Sequence, residues 1–393
     1  MKKVILLSLC GASMLMAGFS EHAYLYKDAR IMGMGGASVA VGGLPTAVFY
    51  NPAGLRDIAK DDGLVVELFG LSAQASDNFG GFSTDLNDAN DEQEISDVLK
   101  EYSGENFSAF TSNYSSVSMN MDTFAWSVGV LAAGDVNLIP HGNGGANDLL
   151  ETRSRGYGGL IVGLATSFED LGPGTLDVGV SAKYISQVSY EGGIGITEII
   201  NNQDDLGTYL QDKYEKKSSG LGVDLGMNYK LFPENYWHLA LGLSVLNIGD
   251  LKMDSAYGRQ PMTVNIGASI SPELPFFEHF TFAMDYVDLL NANETRFYDF
   301  TQVGGVVTNV TYQDFSESDF MKRLRLGVSA GVFENSWFMA TINAGMYQSE
   351  YTLGFDLQAT IVKLSAATYA EEIGPESGQL VDRRYVVYVG IGW

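Results

Sequence analysis

From about residue 63 to the end of the chain, apolar and polar residues alternate with a period of two. The segment 218–231 is the clearest case. Leu221, Val223, Leu225, Met227, Tyr229 and Leu231 share one face, and Gly222, Asp224, Gly226, Asn228 and Lys230 share the other. The segment 236–248 repeats the pattern, with Trp237, Leu239, Leu241, Leu243 and Val245 opposite His238, Ala240, Gly242 and Ser244. Side chains of a strand point alternately to its two faces, so each such run predicts a strand with one apolar and one polar side. Fourteen runs follow this rule: 64–75, 113–121, 123–136, 157–168, 174–188, 218–231, 236–248, 261–271, 277–289, 320–333, 336–348, 351–358, 360–372 and 382–393. The number is even, as single-chain bacterial outer-membrane barrels require.

The links between runs give an independent test. Short ones (Met121-Asp122, Leu171 to Pro173, Phe232 to Asn235, Pro272 to Phe276, Glu334-Asn335) alternate with long ones at 76–112, 137–156, 189–217, 249–260 and 290–319. The tight link near Gln348 to Glu350 is the exception. Outer-membrane barrels have short periplasmic turns and longer external loops, whereas a soluble sandwich has no reason to keep that alternation. The expected fold class is therefore all-β: a transmembrane antiparallel β-barrel of about fourteen strands. Its N-terminus lies in the periplasm and its long loops lie outside. In lipid every backbone polar group must be paired internally, so a strand protein has to close. Within the loops, Ile95, Val98, Leu99 and Tyr102, and again Ile196, Ile199, Ile200, Leu206 and Leu210, sit at helical spacing.

Composition sharpens this picture. Glycine is abundant (46 residues), and only 18% of residues are charged, against about 25% in soluble globular chains. No stretch is long and apolar enough for a membrane-spanning helix. The formal charge of −25 disfavours nucleic-acid binding by phosphate neutralisation. The acidic excess collects in the loops: 76–112 carries Asp77, Asp85, Asp88, Asp91, Glu92, Glu94, Asp97, Glu101 and Glu105 against Lys100 alone. These read as a solvated surface. The last run ends on Trp393, an aromatic terminus of the kind the barrel-assembly machinery reads.

At the other end, Lys2 and Lys3 precede an apolar stretch from Val4 to Met16, followed by Ala17, Gly18 and Ser20. This predicts a signal peptide at 1–20, directing the chain to the outer membrane of a Gram-negative cell, where lipid is its surroundings. The single cysteine, Cys10, lies inside that segment behind Leu9, which is too large for a lipoprotein signal. Residues 21–62 then form a hatch or plug, and 63–393 the barrel.

The plug segment is rich in small residues, and its run Gly33-Met34-Gly35-Gly36-Ala37 to Asn51-Pro52-Ala53-Gly54-Leu55 resembles the FadL/TodX-type outer-membrane transporters. A dinucleotide-binding reading of Gly33, Gly35 and Gly36 lacks the third glycine, the preceding strand and the βαβ unit. In the family the hatch plugs a fourteen-stranded barrel and carries an Asn-Pro-Ala motif. The resemblance implies passage of hydrophobic small molecules, long-chain fatty acids or hydrocarbons. It assigns Gly33, Gly35, Gly36, Asn51, Pro52 and Ala53 to the hatch where it meets the ligand path. Related TraF-like and PorV-like groups share these features. Asn113 to Met121 and Gly174 to Tyr184 are similar to the TraF-like group, which implies the alternative of a non-transporting component of a conjugation or secretion system.

Candidate chemistry is sparse. His22, His141, His238 and His279 lack metal-ligand spacing, so neither metal, cofactor nor catalytic residue is expected. The register turns Asp177, Lys183, Asp224, Lys230, Asp285, Arg323, Arg325, Asp356, Lys363 and Arg384 into the lumen. Arg323 and Arg325, two apart on one strand, read either as an anion point or as partners of lumen acids and of the hatch. An unpaired charge in a plugged lumen is costly.

Overall fold

The computed structural model describes residues 24–142, 148–202, 205–251, 253, 258–374 and 376–393. The expected signal peptide lies outside them. Among the described residues, fourteen antiparallel strands close a barrel. In chain order they begin with β1 (Leu64–Ser76), β2 (Phe107–Asn120), β3 (Phe124–His141), β4 (Leu149–Leu171) and β5 (Gly174–Gly195). Next come β6 (Lys216–Leu231), β7 (Leu239–Leu246), β8 (Thr263–Ile270) and β9 (Phe280–Tyr286). The series ends with β12 (Leu324–Asn335), β13 (Phe338–Tyr347), β14 (Glu350–Ala359), β15 (Val362–Glu372) and β16 (Val381–Gly392). Each predicted run overlaps one of them, and β2 to β5 extend well beyond theirs on the long-loop side. The seam is made by the first and last strands, with Ala73 opposite Val387 and Ala75 opposite Tyr385. Closure leaves no sheet edge, which is the condition lipid imposes.

The side-chain pattern follows the expected register. On β6, Leu221, Val223, Leu225 and Met227 are exposed on the outside, while Asp224 and Asn228 are buried inside. Trp237 and Trp337 sit at short turns, where amphipathic rings favour the membrane interface. Near its start β1 is kinked: its pairing slips against both neighbours, and Phe69 takes a left-handed backbone (φ 53°).

The wall is uneven. β3, β4 and β5 have 18, 23 and 22 residues, whereas β7, β8 and β9 have 8, 8 and 7. The tall side continues above the membrane as a capped structure. There α2 (Phe79–Asp88), α3 (Glu92–Glu101), α4 (Ile196–Asn201) and α5 (Leu206–Tyr214) pack on the strand extensions. Phe82, Ile95, Leu99, Phe107, Leu150 and Ile199 lie in their shared core. Asp91 caps α3 by accepting from the N–H groups of Gln93 and Glu94, as a helix start of this sequence should.

One element was not among the predicted strands. Between β9 and β12, which pair directly with each other, the chain leaves the wall as a hairpin of β10 (Glu294–Val303) and β11 (Val306–Ser316). Its turn, Gly304-Gly305, is left-handed at both residues (φ 62° and 79°), as a tight hairpin requires. The hairpin reaches across to the outer end of β5. There the Glu198 carboxylate accepts from the N–H groups of Val307 (3.3 Å) and Gly195 (3.0 Å), from the Tyr209 hydroxyl and from the Lys213 ammonium.

Candidate functional site

The N-terminal segment from Tyr24 to Asp62 packs against the inner surface of the barrel. It is built from short turns: α1 (Ala29–Gly33) and 3-10 turns at Pro45–Phe49 and Pro52–Asp57. Asp28 caps α1 by accepting from Arg30 N–H, and Asn51 caps the Pro52 turn by accepting from Ala53 N–H. Gly35 and Gly36 are left-handed (φ 67° and 75°), which turns the chain back after α1.

The wall is shaped to receive this segment. A methyl group on inward-facing Gly226 of β6 would overlap the Asn51 side-chain oxygen and lie 2.8 Å from Pro52 Cδ. On Gly179 of β5 it would meet the Pro52 carbonyl oxygen at 2.6 Å. Gly163 of β4 admits Val48 and Leu55, Gly242 of β7 admits Val39, and Gly327 of β12 admits Met34. Gly345 of β13 and Gly354 of β14 admit Gly35 and Gly33, each with 2.7 Å to the nearest backbone atom of the segment. Glycines on many successive strands thus form a band on which the segment lies. This accounts for part of the high glycine content.

Polar anchors complete the contact. The Asp285 carboxylate accepts from the N–H groups of Ser38 (2.6 Å) and Val39 (2.8 Å). Ser269 donates to Ala40 O, Ser181 to Val48 O and Thr352 to Gly33 O. The Asn51 amide donates to Val39 O at 2.6 Å. Arg56 donates to Ser167 and Asn120, Asp57 pairs with Lys230, and Lys27 pairs with Glu371.

The lumen charges are paired in the same manner. Lys183 meets Asp224 at 2.9 Å, and Lys230 meets Asp177 at 2.7 Å as well as Asp57. Arg384 joins Glu371 and Asp382, and Arg155 joins Asp135. These last pairs fill the lumen beneath the tall wall with polar groups. Arg325 lies 3.9 Å from the centre of the Tyr347 ring and donates to Lys322 O. Arg323 is buried, and its Nη2 has no partner among the described residues.

Two cavities lie on the low side, and a smaller one of about 20 Å³ lies under the tall wall among Tyr24, Lys27, Asp135, Arg155 and Arg384. The cavity on the long-loop side has a volume of about 100 Å³. Apolar surface from Tyr26, Val39, Phe49, Leu246, Val287 and Tyr347 dominates its lining, which also includes the charged residues Lys27, Lys183, Asp288 and Arg325. The cavity on the short-turn side is larger, about 350 Å³, and more polar, with Arg30, Asp57, Lys230, His238, Ser269 and Thr281. Val39 lines the first and Ala40 the second. The strap Ser38–Gly42, held by Asp285, Ser269 and Asn51, is the partition between them.

Of the residues singled out in the sequence, Gly36, Lys183 and Arg325 line the apolar cavity. Gly33 and Gly35 lie on β12–β14, while Asn51, Pro52 and Ala53 lie on β5–β6, buried against the glycine band and lining neither cavity. Asp177, Asp224 and Arg323 also lie off both cavities. The aromatic lining, Tyr24, Tyr26, Phe49 and Tyr50, was not singled out. Its visible sign was the presence of four large rings in a segment rich in small residues. Among the described residues no group of His, Cys, Asp and Glu is arranged to hold a metal ion.

No family model matches the chain, and no curated protein matches it significantly. Solved structures do. The Ralstonia pickettii toluene transporter TbuX superposes with a TM-score of 0.55 at 12% identity, covering 94% of this chain and 98% of its own. The Pseudomonas putida toluene transporter TodX gives 0.53 at 11% identity, covering 93% and 97%. A Pseudomonas aeruginosa FadL homologue gives 0.50 at 11% identity, covering 96% and 99%. The chain has the fold of FadL-type outer-membrane transporters over nearly its whole length.

Proposed function

We propose that this protein is an outer-membrane channel for small apolar molecules of the size of a single aromatic ring. The observation that carries the reading is the apolar cavity between the N-terminal segment and the low wall. Its volume of about 100 Å³ is close to that of an apolar protein cavity of about 150 Å³ that takes up benzene. A long acyl chain needs several times that space, and the polar cavity beyond the strap would not accept it without loss. Of the two hydrophobic cargo classes the sequence left open, the smaller one fits. The fold's resemblance to toluene transporters is consistent with it. In this reading the long loops face outward, the short turns face the periplasm, and residues 21–62 act as a hatch whose strap at Ser38–Gly42 separates the outer from the inner cavity. Calorimetric titration of the detergent-solubilised protein with toluene and with a long-chain fatty acid tests the proposal. Saturable toluene binding without fatty-acid binding is expected, and the reverse order would refute it.

A further inference from the structure

We propose that the cavity on the short-turn side binds a small organic monoanion, a carboxylate on a body about one ring in size, which locks the N-terminal segment to the wall. The inference does not depend on what occupies the outer cavity. It starts from Arg30, whose side chain is partly buried. Among the described residues its guanidinium makes no hydrogen bond or ion pair, and its Nε is shielded from solvent. Other cations of the segment are committed: Lys27 to Glu371, and Arg56 to Ser167 and Asn120. The carboxylates around Arg30 are committed too. Asp28 accepts from Arg30 N–H and from Thr46, and Asp57 pairs with Lys230. Asp356, which feels the Arg30 charge, accepts from Asn343. A partly buried guanidinium without a counter-charge is unfavourable, so a ligand that supplies one is drawn to it.

The cavity provides the rest of a recognition site. Arg30 lines it together with Lys230, Asp57, His238, Ser271 and Thr281. With His238 neutral, two cations face one carboxylate, so a single negative charge balances the lining. Lys230 is already shared between Asp57 and Asp177 (2.7 Å), which leaves Arg30 as the bidentate partner for a carboxylate. Ser271 Oγ and Thr281 Oγ1 lie 3.0 Å apart and share one hydrogen bond, which leaves one hydroxyl proton to donate. Val41, Leu231, Pro233 and Leu239 give the same cavity an apolar side. That mixture fits an amphipathic anion better than a fully hydrated inorganic one. The volume of about 350 Å³ exceeds the roughly 150 Å³ of an apolar cavity that takes up benzene.

The placement has a mechanical consequence. Arg30 belongs to α1 of the N-terminal segment, whereas Lys230 and Thr281 belong to β6 and β9 of the wall. An anion between them is held fully only while the segment is seated. A ligand that binds one state alone makes the other rarer by the factor 1 + [L]/Kd. At about tenfold excess over Kd the lifted segment becomes about elevenfold rarer. A solute on the short-turn side thereby biases the seating of the segment.

The probe is 4-fluorobenzoate, titrated by fluorine NMR into the full chain in a neutral maltoside detergent, with 4-fluorobenzyl alcohol as its uncharged counterpart. Arg30→Gln removes the guanidinium without removing a side-chain contact within the protein. Saturable fluorobenzoate binding is expected, weakened at least about tenfold in Arg30→Gln and unchanged in Val287→Trp, which fills the outer cavity. Exchange of the Met32 and Met34 amides, which close α1, should slow about tenfold with the anion in the unmodified protein and not in Arg30→Gln. Without the anion the two proteins should exchange alike. Equal binding by the alcohol or by Arg30→Gln would overturn the site. So would faster exchange of Arg30→Gln without the anion, which would mean that Arg30 already holds the segment by itself. Inorganic phosphate competing as strongly as fluorobenzoate would overturn the organic class. Loss of binding in Val287→Trp would move the anion to the outer cavity and overturn this site, whereas failure of toluene to bind would remove the outer-cavity reading and leave this one standing.

Discussion

Gly226→Ala puts a methyl group where the hatch turn already stands. The added carbon would overlap the Asn51 side-chain oxygen and lie 2.8 Å from Pro52 Cδ and 3.0 Å from Ala53 N. None of these atoms can swing away. The Asn51 side chain is held by Val39 O and Ala53 N–H, the proline ring is rigid, and Ala53 is backbone. Overpacking of this kind costs about 1–3 kcal/mol. Because the strain arises only when the segment is docked, it shifts the equilibrium between seated and lifted hatch, about 5- to 150-fold at tenfold per 1.4 kcal/mol. Amide hydrogen exchange of 51–54 in detergent should accelerate by that factor, while barrel amides keep their rates. Gly222→Ala, on the same face of the same strand, is the control. Its methyl would meet the flexible Lys183 side chain at 2.8 Å, and a change within about twofold is expected. Equal exchange at 51–54 in Gly226→Ala and the unmodified protein would refute the claim that the glycine band seats the hatch.

Asp285→Ala leaves the N–H groups of Ser38 and Val39 without an acceptor, a loss of about 1–3 kcal/mol for each buried donor. The strap should lift, and planar-bilayer recordings should show conductance that the unmodified protein lacks. Val287→Trp fills the outer cavity, so toluene affinity measured by calorimetry should fall at least about tenfold. Burial alone would raise the Glu198 carboxyl, but hydrogen bonds from Lys213, Tyr209, Gly195 N–H and Val307 N–H outweigh it and hold the group below the ordinary glutamate value of 4.5. A depressed carboxyl contributes stability above its unfolded value and loses it as pH falls through the lowered one. Hairpin docking, followed by exchange of the Val307 amide, should therefore be complete above pH 4.5 and weaken below it, and Glu198→Gln should flatten that dependence.

The barrel strands were legible because lipid on one side and a polar lumen on the other force strict alternation, as Leu221 to Leu231 displays. Where that constraint ends, so did legibility. β10 and β11 stand clear of the membrane, and Thr295 to Phe300 follow no apolar–polar alternation. The upper parts of β4 and β5, beyond residues 157 and 188, lie above the lipid and carry charged Glu151, Arg153 and Glu191 inside a folded cap. The lumen face of Lys183, Asp224 and Asp285 followed from parity. That Asp285 holds two backbone N–H groups of the hatch did not, because backbone partners leave no mark in a side-chain pattern. The cavity itself draws on residues from Tyr24 to Tyr347, a set that only closure of the barrel brings together.

The central claim is that a single-ring apolar molecule occupies the space between the hatch and the low wall. Crystals soaked with 4-bromotoluene and measured at the bromine absorption edge test it most directly. The account predicts an anomalous peak enclosed by Tyr26, Val39, Phe49 and Val287. Bromine found at saturation only on the lipid-facing surface, with none in the lumen, would contradict it.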